Sequence, residues 1–297
     1  MEKLKRQLDI FFFEDMNSFF WISFFRISVG IFVLLHFISV FPDFNALYSN
    51  GGIIPNDIID VFTPDFLITL PKIIIAFQNI GIDENTSIIS FQLLYLMLSV
   101  FLIIGFFPRI SAFFLLILQI ALSKSNCYYA YGADFFVSMS LFYLVLIPSN
   151  FEYSIKTIKA LNITPFKRLF QIHVSIAYFF SGFDKILGYN WWNGESIWKA
   201  INLPFATSNF DFSLLAHYPI TLVLIGWLTI LIEMLYPVFI WMESTRKYWI
   251  VLTISLHIGI AFVLNLYFFS TIMIIWNLTL LHSFNEKAVV YKAEFAN

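Results

Sequence analysis

The run Tyr178-Phe179-Phe180-Ser181-Gly182-Phe183-Asp184-Lys185 places an amine and a carboxylate at the end of an otherwise apolar helix, just ahead of Trp191 and Trp192. A charge at membrane depth costs at least about 2.5–3.5 kcal/mol, so such residues face protein or a cavity and mark functional sites. A lysine drawn partly out of water holds its proton less firmly, which makes it a base at neutral pH. The plainer role is a side chain that snorkels to the surface. Gln171, Ser175, Tyr178, Gly182 and Lys185 recur at alternating spacings of four and three. That spacing confines them to an arc of roughly 80° on one face, in a stripe about 20 Å long. The stripe is expected to face the bundle, either as a packing seam or as a cavity wall that includes Tyr178 and Gly182. Gly182 would admit a neighbouring helix or a ligand ring. Asp184 points about 100° away from Lys185, toward another helix or Arg26.

Other polar residues interrupt the apolar segments: Arg26 and His36 in the first, Glu233 in the sixth and His257 in the seventh. A buried carboxylate has to be protonated or paired, and Arg26 with Glu233 is the ion pair expected to fix helix register. Pro237 leaves the carbonyl of Glu233 without its helical partner and should kink that helix. The corner from Asn126 to Asp134 carries Cys127 and three tyrosines, among them Tyr131. The tyrosines read as interfacial anchors and Asp134 as a helix cap, or else the group lines the mouth of the cavity that holds Lys185. Trp191, Trp192 and Trp198 read as an aromatic belt rather than substrate contacts. The five histidines are scattered and the single cysteine excludes an internal disulfide. No phosphate loop or common hydrolase motif occurs, so no metal, nucleotide or nucleic acid is expected.

The elements that must position these groups follow from composition. Of the 297 residues 60% are hydrophobic and only 12% charged, about half the charged share of a soluble domain. The apolar runs are continuous and helix-length rather than alternating, which implies an all-α polytopic membrane bundle, not a β-barrel. About eight spans are expected, near 18–40, 88–107, 110–123, 133–147, 166–187 and 220–242, with 248–282 split near Asn265. Residues 1–17 read as an amphipathic interfacial helix, 18–282 as the bundle and 283–297 as a cytoplasmic tail, all in one membrane domain. The Gly- and Pro-broken stretch from Asn45 to Ile82 suits interfacial helices in the first external loop. With the N-terminus in the cytoplasm, twelve of the 17 basic residues fall inside and three outside, as the positive-inside rule requires. Lys185 then lies toward the external side.

In this order, Phe25-Arg26-Ile27-Ser28-Val29-Gly30, Leu47-Tyr48-Ser49-Asn50-Gly51-Gly52, Tyr131-Gly132-Ala133-Asp134, the Tyr178–Ile186 block, Trp192-Asn193-Gly194, and Glu233 with Pro237 resemble the HTTM (horizontally transferred transmembrane) family. This is the membrane domain shared with vitamin K-dependent gamma-carboxylase, and the likeness covers nearly the whole chain. The resemblance implies that Lys185 deprotonates a reduced, vitamin K-like quinone in an aromatic cavity. Tyr178, Ser181, Gly182, Asp184, Tyr131 and Trp192 would belong to it, with Cys127 where the carboxylase has a histidine. The chain ends just after the last span, so the carboxylase's large luminal region is expected to be missing and peptide carboxylation is not implied. Small bacterial members also resemble the membrane protein that produces sporulation-delaying-type toxins. That implies a second reading: maturation or export of a small secreted peptide, with a partner membrane protein, in the bacterial inner membrane.

Overall fold

The computed structural model describes residues 2–13, 20–55, 58–59, 61, 63–64, 66–125, 129–147, 163–204 and 211–285. Among these residues the regular structure is entirely helical. Among the described residues five helical stretches are long and apolar enough to cross a membrane: Phe20–Tyr48, Glu84–Ile104, Pro108–Ser125, Glu243–Leu264 and Tyr267–Phe284. Gly132–Leu146 and Pro219–Met234 are apolar but shorter. The chain gathers into two compact units, a middle one of Ile22–Leu161 and a terminal one of Met1–Trp21 with Asn162–Asn297.

The middle unit contains most of α2 (Phe20–Val40), then α3 (Phe44–Tyr48), α4 (Leu70–Gln78), α5 (Glu84–Ile104), α6 (Pro108–Ser125) and α7 (Gly132–Leu146). Helix α5 starts where Asp83 accepts a hydrogen bond from the backbone N–H of Thr86 at 3.0 Å. It stops at Gly105, whose φ of 81° is the left-handed conformation glycine adopts without strain. Pro108 then opens α6, where a missing N–H leaves no helical bond unmade. Helices α2 and α5 meet closely at Gly30, where a Cβ would lie 2.8 Å from Ile103 Cγ1.

Beside that contact the buried Arg26 donates from Nη1 to the carbonyls of Leu102 and Ile103, both at 2.7 Å. These belong to the last turn of α5, whose carbonyls have no acceptor role inside the helix and carry its negative dipole end. After α3 the chain folds back through Gly52, whose N–H donates to Ser49 and whose neighbour Ile53 donates to Ala46. A Cβ at Gly52 would sit 2.9 Å from two of those carbonyl oxygens. Asn50, in the same turn, docks by its N–H and Nδ2 onto the Glu84 carboxylate at 2.7 and 2.9 Å.

The terminal unit contains α1 (Glu2–Phe13), α8 (Thr164–Leu187), α9 (Tyr189–Trp192), α10 (Glu195–Ile201), α11 (Pro219–Met234), α12 (Tyr236–Phe239), α13 (Glu243–Leu264) and α14 (Tyr267–Asn285). Helix α1 is tied to the start of α8. Arg168 lies 4.5 Å over the Phe11 ring and donates from Nε to the Phe11 carbonyl at 3.0 Å. The long C-terminal apolar stretch breaks at Asn265 (φ 54°), a left-handed position that asparagine tolerates better than most residues.

Helices α8, α9 and α10 all pack against α11, and three glycines set the spacing. A Cβ at Gly182 would lie 2.7 Å from the backbone nitrogen of Met234, one at Gly226 would lie 2.6 Å from the Trp191 carbonyl, and one at Gly194 would lie 2.9 Å from the backbone nitrogen of Val223. The chain thus continues beyond Lys185 in contact with α11, so the amine sits partway along the packed pair and not at its free end.

Candidate functional site

The polar stripe on α8 turns inward, and each member finds a partner in the terminal unit. Gln171 donates to Ser283 at 2.8 Å, and Ser175 accepts from the Trp241 indole at 3.2 Å. Tyr178 lies 4.2 Å from Tyr236 in a ring stack. Gly182 admits the backbone of α11, which carries Glu233 to the side of Lys185.

Lys185 Nζ donates to Glu233 Oε2 at 2.6 Å and to Ser181 Oγ at 2.8 Å. A longer bond of 3.3 Å reaches the Ser181 carbonyl. The Trp191 ring covers the ammonium from 5.2 Å, close enough for a cation–π contact. The side chains of Lys185 and Glu233 are only 17% and 8% exposed, so the pair is screened from solvent and the lysine does not snorkel.

The two members of the expected Arg26–Glu233 ion pair belong to different units, and each has partners within its own. Glu233 takes Lys185 and Ser181 as partners, while Arg26 donates to the end of α5. The reason is the glycine contact: Gly182 removes the side chain that would otherwise separate α8 from α11, and the carboxylate meets the amine one turn along.

Below this pair lies a second, directional network. Asn277 donates both amide hydrogens, one to the Met273 carbonyl at 2.8 Å and one to the Tyr178 hydroxyl at 2.6 Å. Its Oδ1 accepts from the Tyr236 hydroxyl at 2.8 Å. The Tyr178 hydroxyl also lies 2.8 Å from His257 Nε2. All four residues are buried. The network and the ion pair are close enough to interact electrostatically, Glu233 with Tyr178 and Lys185 with His257.

The remaining expected site residues are placed as follows. Asp184 is exposed, on the other side of α8 from the amine. Trp192 is 43% exposed, with its indole donating to the Ile186 carbonyl at 2.7 Å. Cys127 lies outside the described residues. Tyr131 belongs to the middle unit, where its N–H donates to Asp134 Oδ2 at 3.1 Å. Asp134 accepts as well from Gln119 Nε2 at 3.1 Å, and Gln119 Oε1 accepts from Tyr95 at 2.6 Å. His36, Tyr48, Tyr95, Gln119 and Asp134 line a hollow of about 30 Å³, room for one or two waters and far too small for a ring system.

Sequence reasoning missed Tyr236, Asn277 and the role of Trp191. An asparagine in the middle of the apolar α14 was the available signal for Asn277; a tyrosine before a proline gave none. Among the described residues no three His, Cys, Asp or Glu side chains group to hold a metal ion. On the short helix α10, hydrogen bonding and charge from Lys199 at 2.7 Å hold the Glu195 carboxyl below its ordinary range.

Compared with protein-family models, curated proteins and solved structures, the chain matches none of them.

Proposed function

We propose that this is an integral membrane enzyme in which Lys185 acts as a base on a quinol-type substrate. It would be built on the HTTM plan shared with the membrane domain of gamma-carboxylase. The observation that carries the reading is the Lys185–Glu233 pair itself: an amine enclosed by protein, 2.6 Å from a carboxylate and roofed by an indole. To serve as a base the amine must first be neutral. Glu233 allows this without a net change of charge, because one proton moving along that hydrogen bond converts ammonium and carboxylate into amine and carboxylic acid. Ser181 keeps the nitrogen in place through the exchange. Lys185 then accepts the substrate's proton at Nζ, which leaves an ammonium beside the protonated Glu233, and one proton must leave the pair to restore ammonium and carboxylate.

The donor set suits a reduced quinone, since an amine, a hydroxyl and an aromatic face recognise a phenolic ring and its oxygen. When bound, such a quinol supplies two electrons for reaction with oxygen. The topology belongs to the same proposal: about eight spans, the N-terminus in the cytoplasm, in a bacterial inner membrane. Arg168 and Arg246 favour it, because they lie at the ends of α8 and α13 that this topology puts inside.

The test is quinol-dependent oxygen uptake by purified protein in lipid. Wild type should consume oxygen, and Lys185→Ala should lose at least about a hundredfold, the usual scale of a general base. Equal uptake by the two proteins removes the proposal.

A second reading has its own support. Lys185 already has three protein acceptors within 3.3 Å, as a purely structural lysine would. In that case the protein is a non-catalytic component for maturation or export of a small secreted peptide. Co-purification of a peptide precursor with Lys185→Met as readily as with wild type would favour it.

A further inference from the structure

The hydrogen bonds around His257 fix where its proton sits. Asn277 Nδ2 faces the Met273 carbonyl, which can only accept, so the amide orientation is set and Oδ1 is the atom that faces Tyr236. The same Nδ2 therefore donates to the Tyr178 hydroxyl. Of the two groups bonded to the Tyr178 hydroxyl, Asn277 Nδ2 can only donate, so His257 Nε2 is the one that can accept the hydroxyl's own proton. Nε2 is then an acceptor, and a neutral imidazole must carry its hydrogen on Nδ1. That N–H is buried in a residue only 3% exposed and has no hydrogen-bond partner among the described residues. An unpaired buried donor is destabilising, and this one is held in place by a chain of three other buried side chains, which points to a group that it serves.

We infer that the Nδ1–H of His257 is a ligand donor that hydrogen-bonds a neutral ring oxygen, of the quinone or quinol class, bound beside the Lys185–Glu233 pair. This rests on the quinol reading above and adds a residue to it. Lys185 handles the proton of one ring oxygen, while His257 fixes the ring by an oxygen that does not react. Tyr178 and Asn277 are positioning residues, since they act only by holding the imidazole in this tautomer.

The test uses protein labelled with ¹⁵N-histidine and menadione as the probe. His257 should show a protonated Nδ1 and a bare Nε2, and its Nδ1 resonance should move when menadione binds. His257→Asn keeps an N–H near the Nδ1 position and should bind menadione within about threefold of wild type. His257→Gln keeps only the Tyr178 side and should bind about tenfold more weakly, as loss of one hydrogen bond predicts. Lys185→Ala should lose oxygen uptake, whereas His257→Asn should keep it. A proton on Nε2, or equal affinity of His257→Gln and wild type, overturns the inference and leaves the quinol enzyme standing. Wild type that neither binds menadione nor consumes oxygen with its reduced form overturns both.

Discussion

Glu233 in the terminal unit and Asp134 in the middle unit are carboxylates on apolar helices, and their surroundings solve the same problem differently. Glu233 is met by a full positive charge, the ammonium of Lys185 at 2.6 Å. Among the described residues the hydrogen bonds to Asp134 come from neutral donors, the N–H of Tyr131 and the amide of Gln119, at the first turn of α7 where the helix dipole favours a negative group. It also borders a hollow with room for water. One site depends on a partner charge and the other on dipoles and hydration. The first is the arrangement that can move a proton between two groups; the second holds a charge still.

The contrast can be broken at its strongest point first. Removing one member of a buried pair strands the other, so Glu233→Ala should destabilise the protein by about 3–5 kcal/mol. Lys185→Met with Glu233→Leu should recover most of that, because replacing both charges removes the desolvation cost as well. Thermal unfolding in detergent measures both, and a double mutant as unstable as Glu233→Ala would show the pair is not the source. Gly182→Leu should cost about 1–3 kcal/mol by forcing α8 from α11, and should separate Glu233 from Lys185, since the contact delivers Glu233.

In the middle unit Tyr95→Phe leaves Gln119 Oε1 without its donor and should cost about 1–3 kcal/mol, less if water from the hollow replaces the hydroxyl. Asp134→Asn keeps an oxygen for the Tyr131 N–H but turns an NH2 toward Gln119 Nε2; it strands no partner charge, so it should cost about 1 kcal/mol. A loss there as large as that of Glu233→Ala would abolish the distinction. The smallest effect is at Asp83. The Thr86 hydroxyl, then its N–H, hold that carboxyl below its ordinary value of 3.8. Its cap therefore supports α5 fully above that value and weakens as pH falls through the lowered one. Thr86→Val should remove a small part of that support at neutral pH and leave a shallower loss on acidification, because the hydroxyl contributes only while Asp83 is ionised.

Particular residues show how far the sequence could be read. The stripe from Gln171 to Lys185 was legible because helical periodicity is local: spacings of three and four put side chains on one face whatever the fold. The helix break at Asn265 and the hairpin at Pro108 were legible for the same reason, since each depends on the conformational limits of a few adjacent residues. Continuous apolar runs likewise determined a helical membrane protein, because unpaired backbone groups are intolerable in lipid.

Partnership was not legible. Arg26 and Glu233 looked complementary by charge, yet charge gives no distance. The approach of α8 to α11 at Gly182 assigned Glu233 to Lys185, and the approach of α2 to α5 at Gly30 placed Arg26 at carbonyl oxygens. The proton on His257 depended on three residues far apart in the chain. What the sequence determined by itself was which faces are polar; which polar group meets which was decided only when tertiary packing fixed distances of a few ångströms, over which electrostatic and hydrogen-bond energies change most steeply.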